Sequence, residues 1–247
     1  MSAPSRPNYG LDAPGVVRNL SLIGAVLVLL GMLSGTVAAG GSWGWLRYLQ
    51  ISFWAPGLAL LLTAALMIWG SRVGKRRFRD RILDAIPWRG DEQVLDVGCG
   101  HGLMLLGAAK RLTTGKAVGI DLWQTEDQAG NSPAATMENA RLEGVADRVE
   151  LKDGDARKLP FADHSFDVIL SSWALHNIYD RDGRAVAIRE IARVLKPGGR
   201  AALVDIRHAD EYAEVLRAAG LDVRHAGPNF LFVIPSYTVW ANKPAGT

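Results

Sequence analysis

The sequence is poor in cysteine and in net charge. Cys99 is the one cysteine in 247 residues, so the chain forms no intramolecular disulfide and does not need an oxidising compartment. Lysine and arginine exceed the acidic residues by 28 to 25, a net charge of +3, which gives no reason to expect nucleic acid as a partner. No cluster of cysteine and histidine has the spacing of metal ligands, so no metal site is predicted.

Charged residues are also missing from two long stretches, residues 19–46 and 48–71. Within them, residues 20–39 and 51–69 form apolar runs about as long as a helix that crosses a bilayer. We therefore predict an N-terminal cytoplasmic segment over residues 1–18 and a two-span transmembrane hairpin over residues 19–71.

Two other interpretations of these runs are weaker. A cleaved signal peptide would place small residues near residues 36–40 at the cut, but the first run exceeds the ~7–15 apolar residues typical of such a signal. A second run also follows it. Buried core helices are disfavoured because both runs are long and free of charge.

The basic residues of this region follow the second run. Six lie in residues 72–81, whereas Arg47 is the one basic residue between the runs. The positive-inside rule then predicts a multi-pass protein of the cell (inner) membrane with a cytoplasmic C-terminal domain. We predict a basic juxtamembrane amphipathic helix or linker over residues 72–90, which contacts anionic membrane lipids or serves as a topology signal alone. Its apolar face would contain Val73, Phe78, Ile82, Leu83 and Ile86.

From residue 91 to residue 247, strand-like runs alternate with helical periods. This alternation predicts an α/β domain with a doubly wound, mostly parallel sheet and helices on both faces. The predicted strands are residues 93–97, 117–121, 148–152, 168–171 and 200–205, with a terminal hairpin over residues 230–234 and 237–241. The predicted helices are residues 103–112, 134–144, 184–195 and 211–219.

A glycine-rich turn follows the first of these strands. Asp96 precedes three alternating glycines, Gly98, Gly100 and Gly102, which allow a tight turn and close approach of a ligand to the backbone. Dinucleotide-binding loops favour G-x-G-x-x-G, and a carboxylate at this place would repel a pyrophosphate. A nucleotide-like cofactor with a cationic amino-acid group fits better.

Two further carboxylates follow later strands. Asp121 ends the second strand and Asp155 follows the third, and parallel strands present their carboxyl ends to one crevice. Asp121 is placed to accept hydrogen bonds from ribose hydroxyls, and Asp155 from an adenine amino group. Each alone would more often be a helix cap or a solvated loop residue.

The chain resembles the class I, seven-strand, Rossmann-like methyltransferases that depend on S-adenosyl-L-methionine. The segments that carry the resemblance are residues 95–102, 119–121, 154–156, 159–161, 165–169, 174–176 and 193–200. The resemblance implies a seven-stranded sheet and S-adenosyl-L-methionine as the cofactor. It implies cofactor contacts at Asp96, Gly98, Gly100, Gly102, Asp121, Asp155, Ala156 and Ser171, with Ser172 as the alternative to Ser171. We further predict cofactor contacts at Cys99, Leu122 and Trp123.

The segment 122–131 departs from this family because it is longer and more polar than the usual entry into the next helix. Trp123 either stacks on the adenine or packs as a surface aromatic residue. Gln128 and Asn131 are candidates for a lid or a substrate wall.

A sulfonium already activates its methyl group, so the enzyme needs chiefly to align the acceptor and exclude water. For a hydroxyl acceptor, His176 is the candidate catalytic base, and the alternative is a structural histidine. A membrane anchor favours an amphiphilic small-molecule acceptor such as a quinone precursor, a phospholipid amine, a sterol-like lipid or a carotenoid. The alternatives are a soluble or protein acceptor, a non-catalytic cofactor-binding membrane subunit and a nicotinamide oxidoreductase.

The first apolar run contains a stripe of small residues, Gly24, Gly31 and Gly35. Such residues let helices approach closely in a membrane. The stripe is expected to pack against the second run of the same chain or against a second copy.

Overall fold

The computed structural model describes residues 6–39, 45–124, 130–231 and 234–246. The chain divides into two compact units, one of residues 11–74 and one that combines the first ten residues with Lys75–Thr247. The expectation for Gln128 lies outside the described residues.

The smaller unit is helical. It contains α1 over Pro14–Ala39, α2 over Trp45–Trp69 and a π-helical turn over Gly70–Gly74. Both predicted runs are therefore helical, and Pro56 lies inside α2. By length and composition, two helical stretches among the described residues, Pro14–Gly35 and Tyr48–Asp84, are long and apolar enough to cross a membrane.

The two long helices pack through the stripe of small residues. A Cβ atom at Gly24 would lie 2.9 Å from the Gly57 carbonyl oxygen, and one at Gly31 would overlap the Trp54 ring. At Gly35 the nearest atom would be Nε2 of Gln50, at 2.7 Å. The expectation that the stripe packs against the second run of the same chain is confirmed.

The larger unit is an α/β domain with a seven-stranded sheet, as the resemblance implied. The strand order is β3-β2-β1-β4-β5-β7-β6; β1 to β5 are parallel, and β7 is antiparallel to both of its neighbours. The strands are β1 Gln93–Val97, β2 Lys116–Asp121, β3 Val149–Asp153, β4 Phe166–Ser172, β5 Leu195–Asp205, β6 Asp222–Asn229 and β7 Ser236–Asn242.

Among the described residues of this unit, five α-helices accompany the sheet. They are α3 Lys75–Asp84, α4 Leu103–Ala109, α5 Pro133–Leu142, α6 Arg181–Val194 and α7 Ala209–Ala218. Local sequence signals explain two of the starts: the Ser132 hydroxyl caps α5 ahead of a proline at the first helical position, and the Asp180 carboxylate caps α6.

The sixth strand was predicted in the wrong place. The apolar residues 230–234 were expected to form it, but β6 ends at Asn229 and β7 begins at Ser236. The described residues of that run, Phe230, Leu231 and Ile234, therefore lie in the connection between the strands. β6 is polar because it is the edge strand of the sheet, and so it lacks the apolar pattern that predicts a strand.

The interpretation of residues 72–90 also needs correction. On α3 and just after it, Phe78, Ile82, Leu83 and Ile86 are at most 4% exposed and pack with residues of β1 and α4 in one hydrophobic cluster. This apolar face lies in the protein core and is not available to lipid. The larger unit therefore includes residues 75–90 in addition to the domain predicted from residue 91.

Candidate active site

The turn after β1 has the backbone conformation that its glycines allow. Gly98, Gly100 and Gly102 have φ values of 72°, 47° and 85°, a region that other residues rarely adopt. A Cβ atom at Gly98 would overlap the Cβ of Ala174, in the segment after β4. We call residues 98–102 the glycine loop; it lies directly against the end of β4.

Asp96 is the buried carboxylate beneath this loop. It is 1% exposed, and its Oδ2 accepts a hydrogen bond of 2.8 Å from the Leu105 amide. The other oxygen, Oδ1, is buried and has no hydrogen-bond partner among the described residues. Burial raises the pKa of Asp96 to about 7, with a further rise from the nearby Asp121 charge and a partial offset from the Leu105 bond. A cationic amino group would supply the partner that Oδ1 lacks.

Asp121 organises the loops at the end of β2. Its carboxylate accepts hydrogen bonds from the Gly100 amide (2.8 Å), the Trp123 amide (2.7 Å) and the Asn131 side chain (3.1 Å). A carboxylate accepts about four hydrogen bonds, so binding both hydroxyls of a ribose requires at least one of these three to be exchanged. Asn131, a candidate from the sequence, is thereby placed at the site.

Asp155 is held differently from the expectation. Both of its carboxylate oxygens accept hydrogen bonds from the Arg157 side chain, at 2.6–3.0 Å. These bonds hold the pKa of Asp155 below its usual value. An adenine amino group would have to share this carboxylate with Arg157. The neighbouring Ala156 is partly buried against the core.

The segment directly after β2 contains Leu122 and Trp123, two of the predicted cofactor contacts. Trp123 has a positive φ of 56°, and its Nε1 donates to Asp153 Oδ1 at 2.6 Å. Leu122 is 53% exposed. The predicted stacking of Trp123 on an adenine remains a prediction.

Two further expected contact residues, Cys99 and Ser171, are also buried. Cys99 packs against Gly119, and burial followed by the Asp96 and Asp121 charges raises the pKa of its thiol. Ser171 is 1% exposed, and its hydroxyl donates to the Val97 carbonyl at 2.8 Å. Ser171 therefore joins β4 to β1, and its neighbour Ser172 is partly exposed.

His176 is paired with an aspartate that the sequence analysis did not select. Its Nδ1 lies 2.6 Å from Oδ1 of Asp205, although without the geometry of a well-aligned hydrogen bond. Catalytic hydrogen bonds are often poorly aligned before substrate binds. Asp205 is 1% exposed and also accepts bonds from the His176 amide and the Tyr212 hydroxyl, both at 3.1 Å. Its position at the end of β5 was the available signal, since Asp121 likewise ends β2.

The order of the strands brings this pair to the glycine loop. β4 lies between β1 and β5, so the residues that follow β1, β4 and β5 meet at one edge of the sheet. Ala174, which contacts Gly98, is two residues before His176. The structure thus gathers a buried carboxylate, a glycine loop and a histidine–aspartate pair in one place.

Helix α5 supports the glycine loop through two side chains that the sequence analysis missed. The Thr136 hydroxyl donates to the Gly100 carbonyl at 2.6 Å, and the Asn139 side chain donates to the His101 carbonyl at 3.0 Å. Both residues are at most 4% exposed. Their spacing of three residues places them on one face of the helix, and nothing local in the sequence marks them as loop contacts.

Comparisons with known proteins agree with this geometry. A family model described as a methyltransferase domain matches residues 95–203. The chain is 32% identical over 199 residues to 27-O-demethylrifamycin SV methyltransferase of Amycolatopsis mediterranei, covering 69% of this chain and 68% of that protein. It is 37% identical over 123 residues to demethylmenaquinone methyltransferase of Staphylococcus aureus, covering 49% of this chain and 46% of that protein.

The fold is also that of a solved structure, the [4+2]-cyclase SpnF, with a TM-score of 0.57, 23% identity and coverage of 69% of this chain and 82% of that one. This likeness shows the fold alone, which different reactions can share. The reaction class follows from the relatives, and the unpaired Asp96 oxygen with the glycine loop fits the amino-acid part of the cofactor. The chain therefore belongs to the S-adenosylmethionine-dependent methyltransferases.

Proposed function

We propose that α1 and α2 anchor this methyltransferase in the cell membrane and that it methylates a hydroxyl group of an amphiphilic small molecule at the cytoplasmic face. The observation that carries the chemistry is the His176–Asp205 pair, 2.6 Å apart beside the glycine loop. A hydroxyl acceptor must lose its proton as the methyl group is transferred, and a histidine is the side chain best suited to take it near neutral pH.

Each residue of the site has a separate role in this proposed reaction. S-adenosylmethionine supplies a methyl group that its sulfonium has already activated. Asp96 would bind the amino group of the cofactor. The glycine loop would contact the amino-acid part of the cofactor through its backbone. His176 would accept the acceptor proton on Nε2, because Nδ1 faces Asp205. Asp205 would orient the ring and stabilise the imidazolium that forms.

Several features support the membrane anchor. The large apolar side chains of α1 and α2 are mostly exposed, including Leu22, Leu29, Leu58 and Leu62, each at least 57%, which is costly in water and favourable in lipid. The basic side chains of Arg72, Arg77 and Arg81 are exposed after α2, as the positive-inside rule requires for a cytoplasmic domain.

The chain segments that flank the two helices lie together. Lys75 Nζ donates to the Gly10 carbonyl at 2.8 Å. The chain therefore leaves and re-enters the catalytic unit at one place, which suits a hairpin that crosses a membrane twice. Anionic lipid headgroups are the proposed partners of the exposed basic residues.

Exposed apolar side chains of the catalytic unit favour an amphiphilic acceptor. Among its described residues, five large apolar side chains are exposed, and four of them belong to loops at the edge of the sheet that carries the site. They are Leu122, Tyr179, Phe230 and Ile234. Phe230 and Ile234 belong to the connection between β6 and β7, and the start of β7 pairs with Asp205. An apolar rim at the mouth of the site suits an acceptor with a hydrocarbon part.

The relatives point in the same direction. One is named for a demethylrifamycin and the other for a demethylmenaquinone, so both names denote a small-molecule acceptor. A soluble or protein acceptor and a non-catalytic role remain the rivals that an experiment must separate.

The acceptor class can be tested with the purified protein in vesicles of the host's total lipid. Methyl-labelled S-adenosylmethionine is added, and the label is followed into the organic extract, the aqueous phase and the protein. Label in the organic extract, absent for Asp96→Ala, supports the proposal. Label in the aqueous phase or in protein contradicts the amphiphilic acceptor, and the absence of transfer to every fraction supports a non-catalytic subunit.

A further inference from the structure

Residues 6–10, which precede α1, belong to the catalytic unit and are here called the strap. Helix α3 holds the strap by its backbone. Lys75, which is 3% exposed, donates from Nζ to the carbonyl groups of Tyr9 and Gly10, each at 2.8 Å. Arg76 donates to the Pro7 carbonyl at 3.0 Å and stacks over the Tyr9 ring at 5.2 Å from its centroid. A buried lysine of this kind strongly fixes its partners, because an uncompensated charge would be costly.

The opposite side of the strap contacts α5. Tyr9 is 3% exposed, and its hydroxyl donates to Glu143 at 2.8 Å. The Asn8 amide donates to Oδ1 of Asn139, and Nδ2 of Asn139 donates back to the Asn8 carbonyl, both at 2.8 Å. The side-chain amide of Asn139 thus pairs with the strap backbone as another strand would.

Asn139 makes one further bond, and it leads to the glycine loop. Its Nδ2 also donates to the His101 carbonyl at 3.0 Å. A side-chain amide has two N–H donors, and here one holds the strap and the other holds the loop. Thr136, three residues earlier, holds the Gly100 carbonyl.

We propose that the strap is part of the cofactor site and that Asn139 is a positioning residue through which the strap fixes the glycine loop. The strap satisfies one donor and the acceptor of the Asn139 amide and so selects its orientation. That orientation directs the other donor at His101. Loss of the strap removes two of the three hydrogen bonds of this buried amide, so the loop becomes less well ordered for the cofactor. The inference depends on the cofactor and not on the nature of the acceptor.

The test is a double-mutant cycle read by calorimetric binding of S-adenosylmethionine, below the melting temperature of every variant. Tyr9→Ala loosens the strap without touching the loop, and Asn139→Ala removes the link. Each is expected to weaken binding at least fivefold. The double variant should bind no more weakly than Asn139→Ala alone, because both changes break one connection. Arg141→Ala, an exposed change on the same helix, is the matched control and should leave binding unchanged.

Two results would overturn the proposal. One is a Tyr9→Ala variant that melts at a lower temperature but binds the cofactor with unchanged affinity, which is what a merely structural strap predicts. The other is a pair of effects that multiply in the double variant, which shows that the strap and Asn139 act independently.

A second measurement uses the unmodified protein, so it does not depend on the folding of any variant. Coupling between two sites is reciprocal, so saturating S-adenosylmethionine should slow hydrogen exchange of the Asn8 amide at least fivefold. Exchange that is the same with and without the cofactor contradicts the proposal. Neither measurement involves methyl transfer, so failure to find an acceptor leaves both results interpretable.

Discussion

At the scale of single residues, burial determines the ionisation of Asp96. Its pKa is raised from an ordinary value of 3.8 to about 7 in the folded protein, so the fold favours the protonated acid. The contribution of Asp96 to the free energy of unfolding is therefore largest below pH 4, where the acid is protonated in both states. This contribution is lost as the pH rises through 7. Asp96→Asn removes this cost, so the cofactor-free variant should be more stable than the wild type at pH 8, by on the order of 2–4 kcal/mol. Denaturant unfolding at pH 4 and pH 8 measures the difference, which should nearly vanish at pH 4.

The same group makes cofactor affinity depend on pH. Only the ionised carboxylate pairs with the cationic amino group of S-adenosylmethionine, so affinity should fall by up to about tenfold per pH unit below pH 7. Calorimetric titrations from pH 5.5 to pH 8.5 test this. Asp96→Asn should bind weakly and without this pH dependence; an equal slope in both proteins would assign the titration to another group.

Replacing His176 should reduce methyl transfer much more than it reduces cofactor binding. His176→Ala is expected to lower kcat by about 10²–10⁴-fold if the histidine removes the acceptor proton. The dissociation constant for S-adenosylmethionine should change less than threefold, because Asp96 and the glycine loop remain. Asp205→Asn keeps the shape of the pair and should lower kcat by a smaller factor. Equal losses in kcat and in cofactor affinity would indicate that His176 is structural.

At the scale of elements, α3 belongs to the core of the catalytic unit. Leu83 is 0% exposed, so Leu83→Ala should lower the free energy of unfolding by about 2–5 kcal/mol. The exposed neighbour Arg81 offers the matched control, since Arg81→Ala should change stability by less than about 0.5 kcal/mol. Denaturant unfolding of the two variants provides the comparison. A small effect at Leu83 would support the original expectation of a helix on the membrane surface.

The helices and strands show where the local sequence pattern is sufficient to predict an element. Strands β1, β2 and β4, with their runs of buried β-branched and aliphatic residues, and the capped helices α5 and α6 were predicted close to their observed bounds, because their signals are local. The amphipathic pattern of α3 predicts a helix and an apolar face but does not say whether protein or lipid covers that face. The apolar residues 230–234 looked like a strand because apolar pattern alone does not separate a strand from an apolar loop.

At the scale of the whole molecule, the contacts that complete the site join distant parts of the chain. Asp96, the glycine loop and Asp121 were predictable because the first two lie at the end of β1 and Asp121 ends β2. Asn8 and Asn139 are 131 residues apart, and Asp205 at the end of β5 meets His176, which follows the neighbouring strand β4. Contacts between such distant residues leave no local pattern at Asn139 or Thr136, so the sequence alone could not select those two residues, whereas the position of Asp205 at the end of β5 was a usable signal.

We propose that the two helices hold the methyltransferase domain at the cytoplasmic face of a membrane where its acceptor lies. The direct measurement replaces residues 11–74 by a short glycine-serine linker, which the contact between Gly10 and Lys75 allows without disturbing the strap. Both proteins are assayed with labelled S-adenosylmethionine and vesicles of the host's total lipid. We expect equal cofactor affinity and at least a tenfold lower rate of label transfer to the organic extract for the shortened chain, because the local acceptor concentration is lost. Equal rates for the two proteins would contradict the proposed role of the helices.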